Sequence, residues 1–266
     1  MYYAALATDY DGTVAHDGVV DDDTVAALER LKAAQRKLIL VTGRELEDLQ
    51  RVIPRLDLFD RVVAENGALL YTPSSQQERP LGDPPPPRFI ELLRAQKVQP
   101  LSVGRVIVAT WEPNETIVLE AIRELGLELQ IIFNKGAVMV LPAGVNKGTG
   151  LAAALADLKL SVLDCVGVGD AENDNAFLAE CGISVAVANA LPALKETATW
   201  TTEGARGAGV AELILHMLSD DLTDLDRIAQ RQRVPLAEPL EAGRGEPLYL
   251  VPRRQTLLLA GASGGG

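Results

Sequence analysis

Two carboxylates flank one residue in Asp9-Tyr10-Asp11-Gly12-Thr13, which follows the short apolar run Ala4–Thr8. In an extended chain, side chains two apart point the same way, so Asp9 and Asp11 can face one site while Gly12 lets the chain turn sharply away. A solvated acidic turn explains the pair as well. Val41-Thr42-Gly43-Arg44 lies at another apolar-to-helical junction, where a hydroxyl and free backbone N–H groups suit a phosphate oxygen. A threonine cap and tight turn is the alternative. Asn146-Lys147-Gly148 precedes a helical stretch, and a lysine there can meet an anion as a point charge or lie on the surface. Gly167-Val168-Gly169-Asp170-Ala171-Glu172-Asn173-Asp174 follows the most apolar strand of the chain. Hard carboxylate oxygens such as those of Asp170 and Asp174 suit Mg²⁺, whereas an N-capping aspartate accounts for only one of them.

These residues need elements that bring strand ends together. Asp22–Ala34 has Val25, Leu28 and Leu31 at helical spacing, with Asp23 or Thr24 placed to cap it. Leu38–Thr42 reads as a strand and Glu45–Val52 as a helix stopped by Pro54. Arg61–Ala64 and Ala68–Tyr71 read as strands around the turn signal Asn66-Gly67. Strand and helix in alternation predict a parallel α/β sheet. Thr72–Arg88, with Pro80 and the run Pro84–Pro87, predicts a loop or hinge. A smaller α+β unit follows: helix over Phe89–Gln96, strand over Val103–Thr110, helix over Glu115–Leu125 stopped by Gly126, and a hairpin of Leu127–Phe133 and Ala137–Leu141 around Asn134-Lys135-Gly136. The α/β pattern resumes with helices over Gly148–Leu158, Ala171–Glu180 and Val210–Leu218 and strands over Val162–Val168 and Ile183–Ala188.

The four chemical segments occur in the order acid pair, hydroxyl, lysine, acid pair, each at the entry to a helix. In this the chain resembles the haloacid dehalogenase superfamily of phosphohydrolases, in the Cof-like, sugar-phosphatase branch with a type IIB cap inserted between the second and third motifs. Asp9–Thr13 is similar to the first motif, Thr42 to the second, Lys147 to the third, and Gly169-Asp170 with Asn173-Asp174 to the fourth. The resemblance spans about residues 1–220. It implies a Rossmann-like parallel-sheet core over 1–78 and 143–220 and a small α+β cap over 79–142. It also implies that Asp9 is the nucleophile of a phosphomonoester hydrolase working through an aspartyl-phosphate, and Asp11 the general acid and base. Thr42, Gly43, Lys147 and Asn173 would hold the phosphate. Asp9, the Asp11 carbonyl and Asp170 would hold Mg²⁺, with Asp174 supporting the metal shell and positioning Lys147. Glu65-Asn66-Gly67-Ala68 is similar to a segment of sugar-phosphate phosphatases and mutases of this branch, although a turn also explains it. The implied substrate is a small phosphorylated metabolite such as a sugar or polyol phosphate. A phosphomutase, or a regulatory module attached to an NTPase, are the alternatives. Glu112, Asn114, Glu115, Asn134 and Lys135 are candidate specificity contacts of the cap, or ordinary solvated loop residues.

A formal charge of −12 argues against a nucleic-acid surface, which needs a basic stripe. Cys165 and Cys181 give no disulfide framework and read as core residues. His16 and His216 fall in no motif. The N-terminus lacks a basic segment typical of a signal peptide and no apolar run reaches membrane-spanning length, so a cytoplasmic location is the default expectation and no membrane partner is expected. After Ser219 the chain turns polar, and residues 221–254 read as a linker. Gln255–Ala260 then reads as a strand leading into Gly261-Ala262-Ser263-Gly264-Gly265-Gly266, the first positions of a P-loop without its lysine. That predicts the start, at 255–266, of a truncated P-loop NTPase domain of a longer protein; a glycine-rich tail is the other reading.

Overall fold

The computed structural model describes residues 3–225, 234–237 and 248–250. Its first compact unit runs to Leu222. An eight-stranded sheet organises it. The first strands and helices are β1 (Ala5–Thr8), α1 (Asp22–Ala33), β2 (Lys37–Val41), α2 (Leu46–Val52), β3 (Arg61–Ala64), β4 (Leu69–Thr72) and β5 (Gln77–Pro80). The cap follows as α3 (Pro87–Ala95), β6 (Ser102–Val103), β7 (Val108–Trp111), α4 (Glu115–Leu125), β8 (Leu129–Asn134) and β9 (Ala137–Pro142). The chain returns as α5 (Lys147–Asp157), β10 (Cys165–Gly169), α6 (Asn175–Leu178), β11 (Ile183–Ala186), α7 (Pro192–Thr197), β12 (Trp200–Thr201) and α8 (Gly207–Ser219).

The sheet order is β12-β11-β10-β1-β2-β3-β4-β5. Pairing is parallel from β12 to β3 and antiparallel for β4 and β5. Every residue of β1 and β10 is buried, as central parallel strands require. Helix α1 packs against β2 and α8, and α5 against β2, β3 and β4. The cap of α1 is Asp21, not Asp23 or Thr24: the Asp21 carboxylate accepts the Thr24 N–H at 2.7 Å. The stretch expected as a plain loop, Thr72–Arg88, contains β5, an exposed edge strand. Pro80 is tolerated there because the outer side of an edge strand needs no donor.

The cap is a four-stranded antiparallel sheet in the order β6-β7-β9-β8. Phe89 and Leu93 of α3 and Val118 and Ile122 of α4 pack with Val108 and Val140 into its core. Val106, Ile107, Met139 and Leu141 instead form a cluster with Ala68 of the main domain. The expected single strand Val103–Thr110 is broken in two by a turn in which the Gly104 N–H donates to the Ile107 carbonyl. At the β8–β9 hairpin Lys135 and Gly136 both have positive φ, 48° and 84°, which is the two-residue turn that matches strand twist.

The second compact unit begins at Thr223. Within the expected linker, β13 (Val234–Ala237) and β14 (Leu248–Leu250) pair antiparallel. The predicted strand 255–260 and the glycine-rich end lie outside the described residues. No helix among the described residues is long and apolar enough to cross a membrane.

Candidate active site

Asp9, Thr42 and Asp170 follow β1, β2 and β10 directly, at the carboxyl edge of the sheet where open α/β folds bind ligands. Lys147 is the first residue of α5. Its helix start is fixed twice. Asn146 accepts the Gly148 and Thr149 N–H groups at 2.9 and 3.1 Å, and Thr149 Oγ1 accepts the Asn146 N–H in return. Bare backbone then seats the helix: a Cβ on Gly148 would strike the Ala176 carbonyl, and one on Gly150 would lie 2.5 Å from Val63 and 2.7 Å from the Gly67 Cα.

The Lys147 ammonium, almost wholly buried, lies 2.6 Å from Asp9 Oδ1 and 2.6 Å from Asp174 Oδ1. Asp174 Oδ2 accepts the N–H groups of Asp170 and Ala171 at 2.8 and 2.9 Å. Both Asp174 oxygens are therefore engaged, and Asp174 fixes Lys147 and the Asp170 backbone rather than offering a free oxygen. This fold-back also explains why the helix expected over Ala171–Glu180 starts as a 3₁₀ turn at Glu172–Asp174 and becomes α-helical only at Asn175. Thr13 Oγ1 lies 3.3 Å from Asp9 Oδ2 and 3.5 Å from Asp170 Oδ1, bridging the two acids.

One lysine stands between two buried carboxylates, and the charge does not balance. Burial pushes the Asp9 carboxyl up to about 7; Asp174 adds to the rise and Lys147 opposes it. For Lys147 burial works against the charge, but Asp174 and Asp9 outweigh it and raise its pKa. Burial also raises Asp170, against the pull of Lys135. Asp9, Asp170 and Asp174 each bring an oxygen within 4.8 Å of the others, all three buried. With both Asp174 oxygens engaged, the oxygens of Asp9 and Asp170 are the donors left, and the surplus negative charge of the three acids fits a hard divalent cation such as Mg²⁺.

Asp11 is half-exposed and turned to the rim. Arg44 grips it as a fork, with Nε and Nη2 donating at 2.6 and 2.7 Å, and Arg44 Nη1 also donates to Asp48. Thr42 Oγ1 accepts the Arg44 N–H at 3.2 Å. Asn173 Nδ2 donates to Asn66 Oδ1 at 2.9 Å, while Asn173 Oδ1 and Asn66 Nδ2 are buried without a hydrogen-bond partner. A Cβ on Gly43 would sit 3.8 Å from Asn173 Nδ2, so these segments meet. Asp9, Asp11, Thr42 and Gly43 line one cavity of about 560 Å³, walled on the cap side by Trp111, Lys135 and Met139 among others.

Four participants have no individual role in the sequence pattern, although three of them lie inside its segments. Arg44 was spelled within the second segment but had no visible partner. Thr13 likewise stood beside Asp11 unassigned. Asn189 donates to the Gly12 carbonyl at 2.8 Å, lies 3.4 Å from Asp170 Oδ2, and accepts the Arg206 N–H at 2.8 Å. Its place just beyond a strand end was the one available signal. Glu65, fully buried at φ 52°, accepts the N–H of Arg105 through Oε1 at 2.8 Å and those of Val106 and Ile107 through Oε2 at 2.8 and 2.9 Å. It fastens the cap turn to the main domain. Of the cap residues expected as specificity contacts, Asn134 and Lys135 line the cavity, whereas Glu112, Asn114 and Glu115 are not among its lining residues.

The sequence profile of the haloacid dehalogenase-like hydrolases matches residues 6–100 and 105–214. A phosphoglycolate phosphatase of Methanothermobacter thermautotrophicus is 32% identical over 219 residues, covering 79% of this chain and 96% of the relative. Among solved structures, a haloacid dehalogenase-like hydrolase from Bacteroides thetaiotaomicron superposes with a TM-score of 0.68 at 17% identity, covering 81% of this chain and 99% of that one. A sugar phosphatase of HAD subclass IIB gives 0.62 at 19% identity, covering 80% and 97%.

Proposed function

The chain belongs to the haloacid dehalogenase-like hydrolase family, and from that premise we propose that it is a Mg²⁺-dependent phosphomonoester hydrolase with Asp9 as nucleophile. The observation that carries the reading is the buried Asp9–Lys147–Asp174 cluster beside Asp170, whose Asp9 lines a cavity walled on one side by the cap.

The Asp9 carboxylate attacks phosphorus. The bond from phosphorus to the leaving oxygen breaks as the Asp9 oxygen–phosphorus bond forms, and Asp11 gives its proton to the departing alkoxide. Water then attacks the aspartyl-phosphate, Asp11 takes the water proton, and inorganic phosphate leaves with Asp9 restored. Lys147 holds Asp9 in place and offers positive charge to the phosphoryl oxygens as their charge spreads. Thr42, Gly43 and Asn173 are the proposed phosphate contacts; the buried donor without a partner beside them is Asn66 Nδ2, and Asn173 would reach a phosphate oxygen by turning its Nδ2 away from Asn66. Asp9, the Asp11 carbonyl and Asp170 are the proposed Mg²⁺ ligands, with Asp174 in support; when bound, the ion supplies charge neutralisation between the anionic nucleophile and the phosphate. Arg44 orients Asp11 at the rim.

The substrate we propose is a small phosphorylated metabolite. The 32% identical relative is named for phosphoglycolate, and that ester stands first in the test panel, beside the sugar and polyol phosphates expected from the sequence. The test is phosphate release from p-nitrophenyl phosphate with and without Mg²⁺. Wild type should require the ion, and Asp9→Asn should lose activity by several orders of magnitude. Equal release by the two proteins would remove Asp9 from the chemistry.

A further inference from the structure

Three cations stand on the cavity wall. Arg44 is held by Asp11 and Asp48, and Arg51 by Asp48 at 3.2 Å, so both are committed to rim carboxylates. The third, Lys135, comes from the tip of the cap hairpin. Its ammonium lies 2.8 Å from Asp170 Oδ2 and 3.3 Å from the Asp11 carbonyl oxygen. These are two of the three oxygen donors proposed above for the divalent cation. An ammonium and a divalent ion cannot share them: the charges repel, and Mg²⁺ draws its ligands to ~2.0–2.1 Å, far closer than an N–H···O contact. Lys135 is thus the one wall cation whose partner is claimed by another group. Its backbone is set in a two-residue turn on the cavity wall, so an ammonium displaced from Asp170 keeps the cavity within reach of its side chain. None of the other cap residues that line the cavity, Trp111, Asn134 and Met139 among them, carries a carboxylate; of the rim carboxylates across from them, Asp11 and Asp48 are held by Arg44, and Glu45 accepts from the Ser102 hydroxyl.

We propose that Lys135 is a specificity-determining residue which exchanges Asp170 for a carboxylate on the leaving group of the substrate. The proposal rests on the phosphatase reading and deepens it. With Asp170 engaged by a divalent ion, Lys135 would be free to pair with the substrate and would select esters whose alcohol half is anionic. Metal binding and substrate selection thereby draw on the same side chain.

The test compares 2-phosphoglycolate with ethyl phosphate, in which a methyl group replaces the carboxylate, on wild type, Lys135→Met and Lys135→Arg. In Lys135→Met the ratio of the two kcat/KM values should fall about tenfold or more, through KM for 2-phosphoglycolate, and Lys135→Arg should recover much of it. Calorimetric titration with Mg²⁺ alone should show tighter binding to Lys135→Met than to wild type, because the competing ammonium is gone. An unchanged ratio, or Mg²⁺ affinity equal to or weaker than wild type, overturns the proposal. So does a wild type that prefers ethyl phosphate, and in that case the phosphatase reading stands. A wild type inactive on both esters and on p-nitrophenyl phosphate removes that reading and this one with it.

Discussion

Glu65 is the place where a small change should separate the cap from the main domain. Its carboxylate accepts three backbone N–H groups of the cap turn, and those of Val106 and Ile107 are buried. Glu65→Ala strands two buried donors at about 1–3 kcal/mol each, while the Arg105 N–H can turn to water, so the loss centres on about 4 kcal/mol. Glu65→Gln is gentler. An amide carbonyl at the Oε2 position keeps the bonds to Val106 and Ile107, loses the one to Arg105, and weakens the rest by removing the charge, for about 2 kcal/mol. At ~2–4 °C per kcal/mol for a unit of this size, the melting temperature should drop by roughly 8–16 °C for alanine and 4–8 °C for glutamine. Scanning calorimetry reads the two drops. Hydrogen exchange reads their location, because the amides of 105–107 should lose protection before those of β1 and β10. Both variants melting within about 1 °C of wild type, or unchanged protection at 105–107, would refute the latch.

Three further outcomes follow from the charge arrangement. Since the Asp9 carboxyl is raised to about 7, below that pH a divalent ion must displace a proton, so Mg²⁺ affinity should climb by up to about tenfold per pH unit toward 7 and level off above it; calorimetry in buffers of different ionisation heat measures the released proton, and a flat affinity from about pH 5.5 to 8 contradicts it. The same raised carboxyl stabilises the ion-free fold at low pH, with that contribution fading as pH rises through about 7. Lys147→Met leaves two buried carboxylates facing each other, at a cost of about 3–5 kcal/mol that protonation relieves; urea titrations should show a larger loss near pH 8 than near pH 5, and equal losses would mean that the pair is not electrostatically coupled. Asp174→Asn cannot satisfy Lys147 and both backbone N–H groups, so Mg²⁺ binding should weaken by about 10–100-fold with the fold intact, which titration and circular dichroism together decide.

Much of the candidate site was legible in the sequence because strand ends announce themselves. Ala4–Thr8 breaks into Asp9, and the run expected as a strand over Val162–Val168, whose first three residues form a 3₁₀ turn before the strand begins at Cys165, breaks at Gly169-Asp170; polarity put both acids at one edge of a sheet. Helix α4 was readable to the residue, since Gly126 in the left-handed region terminates it. What failed depends on distant partners. Pro80 and the proline run hid β5, whose strand character comes from pairing with β4. The segments α7 and β12 are too short to carry a period. Lys135 and Glu65 look like loop residues until the cap is laid on the main domain. Only then does one ammonium reach Asp170 and one carboxylate disappear under a turn.

The naked contact between α5 and the Asn66-Gly67 turn has a consequence for how damage to this protein should be interpreted. Gly148 and Gly150 are not among the residues that line the cavity and carry no functional group, yet any side chain there must lever the first turn of α5 off its neighbours and carry the lysine at its tip out of line. A methyl group added within the first turn of α5, outside the cavity lining, would therefore register in kinetics as a lesion of the pocket itself.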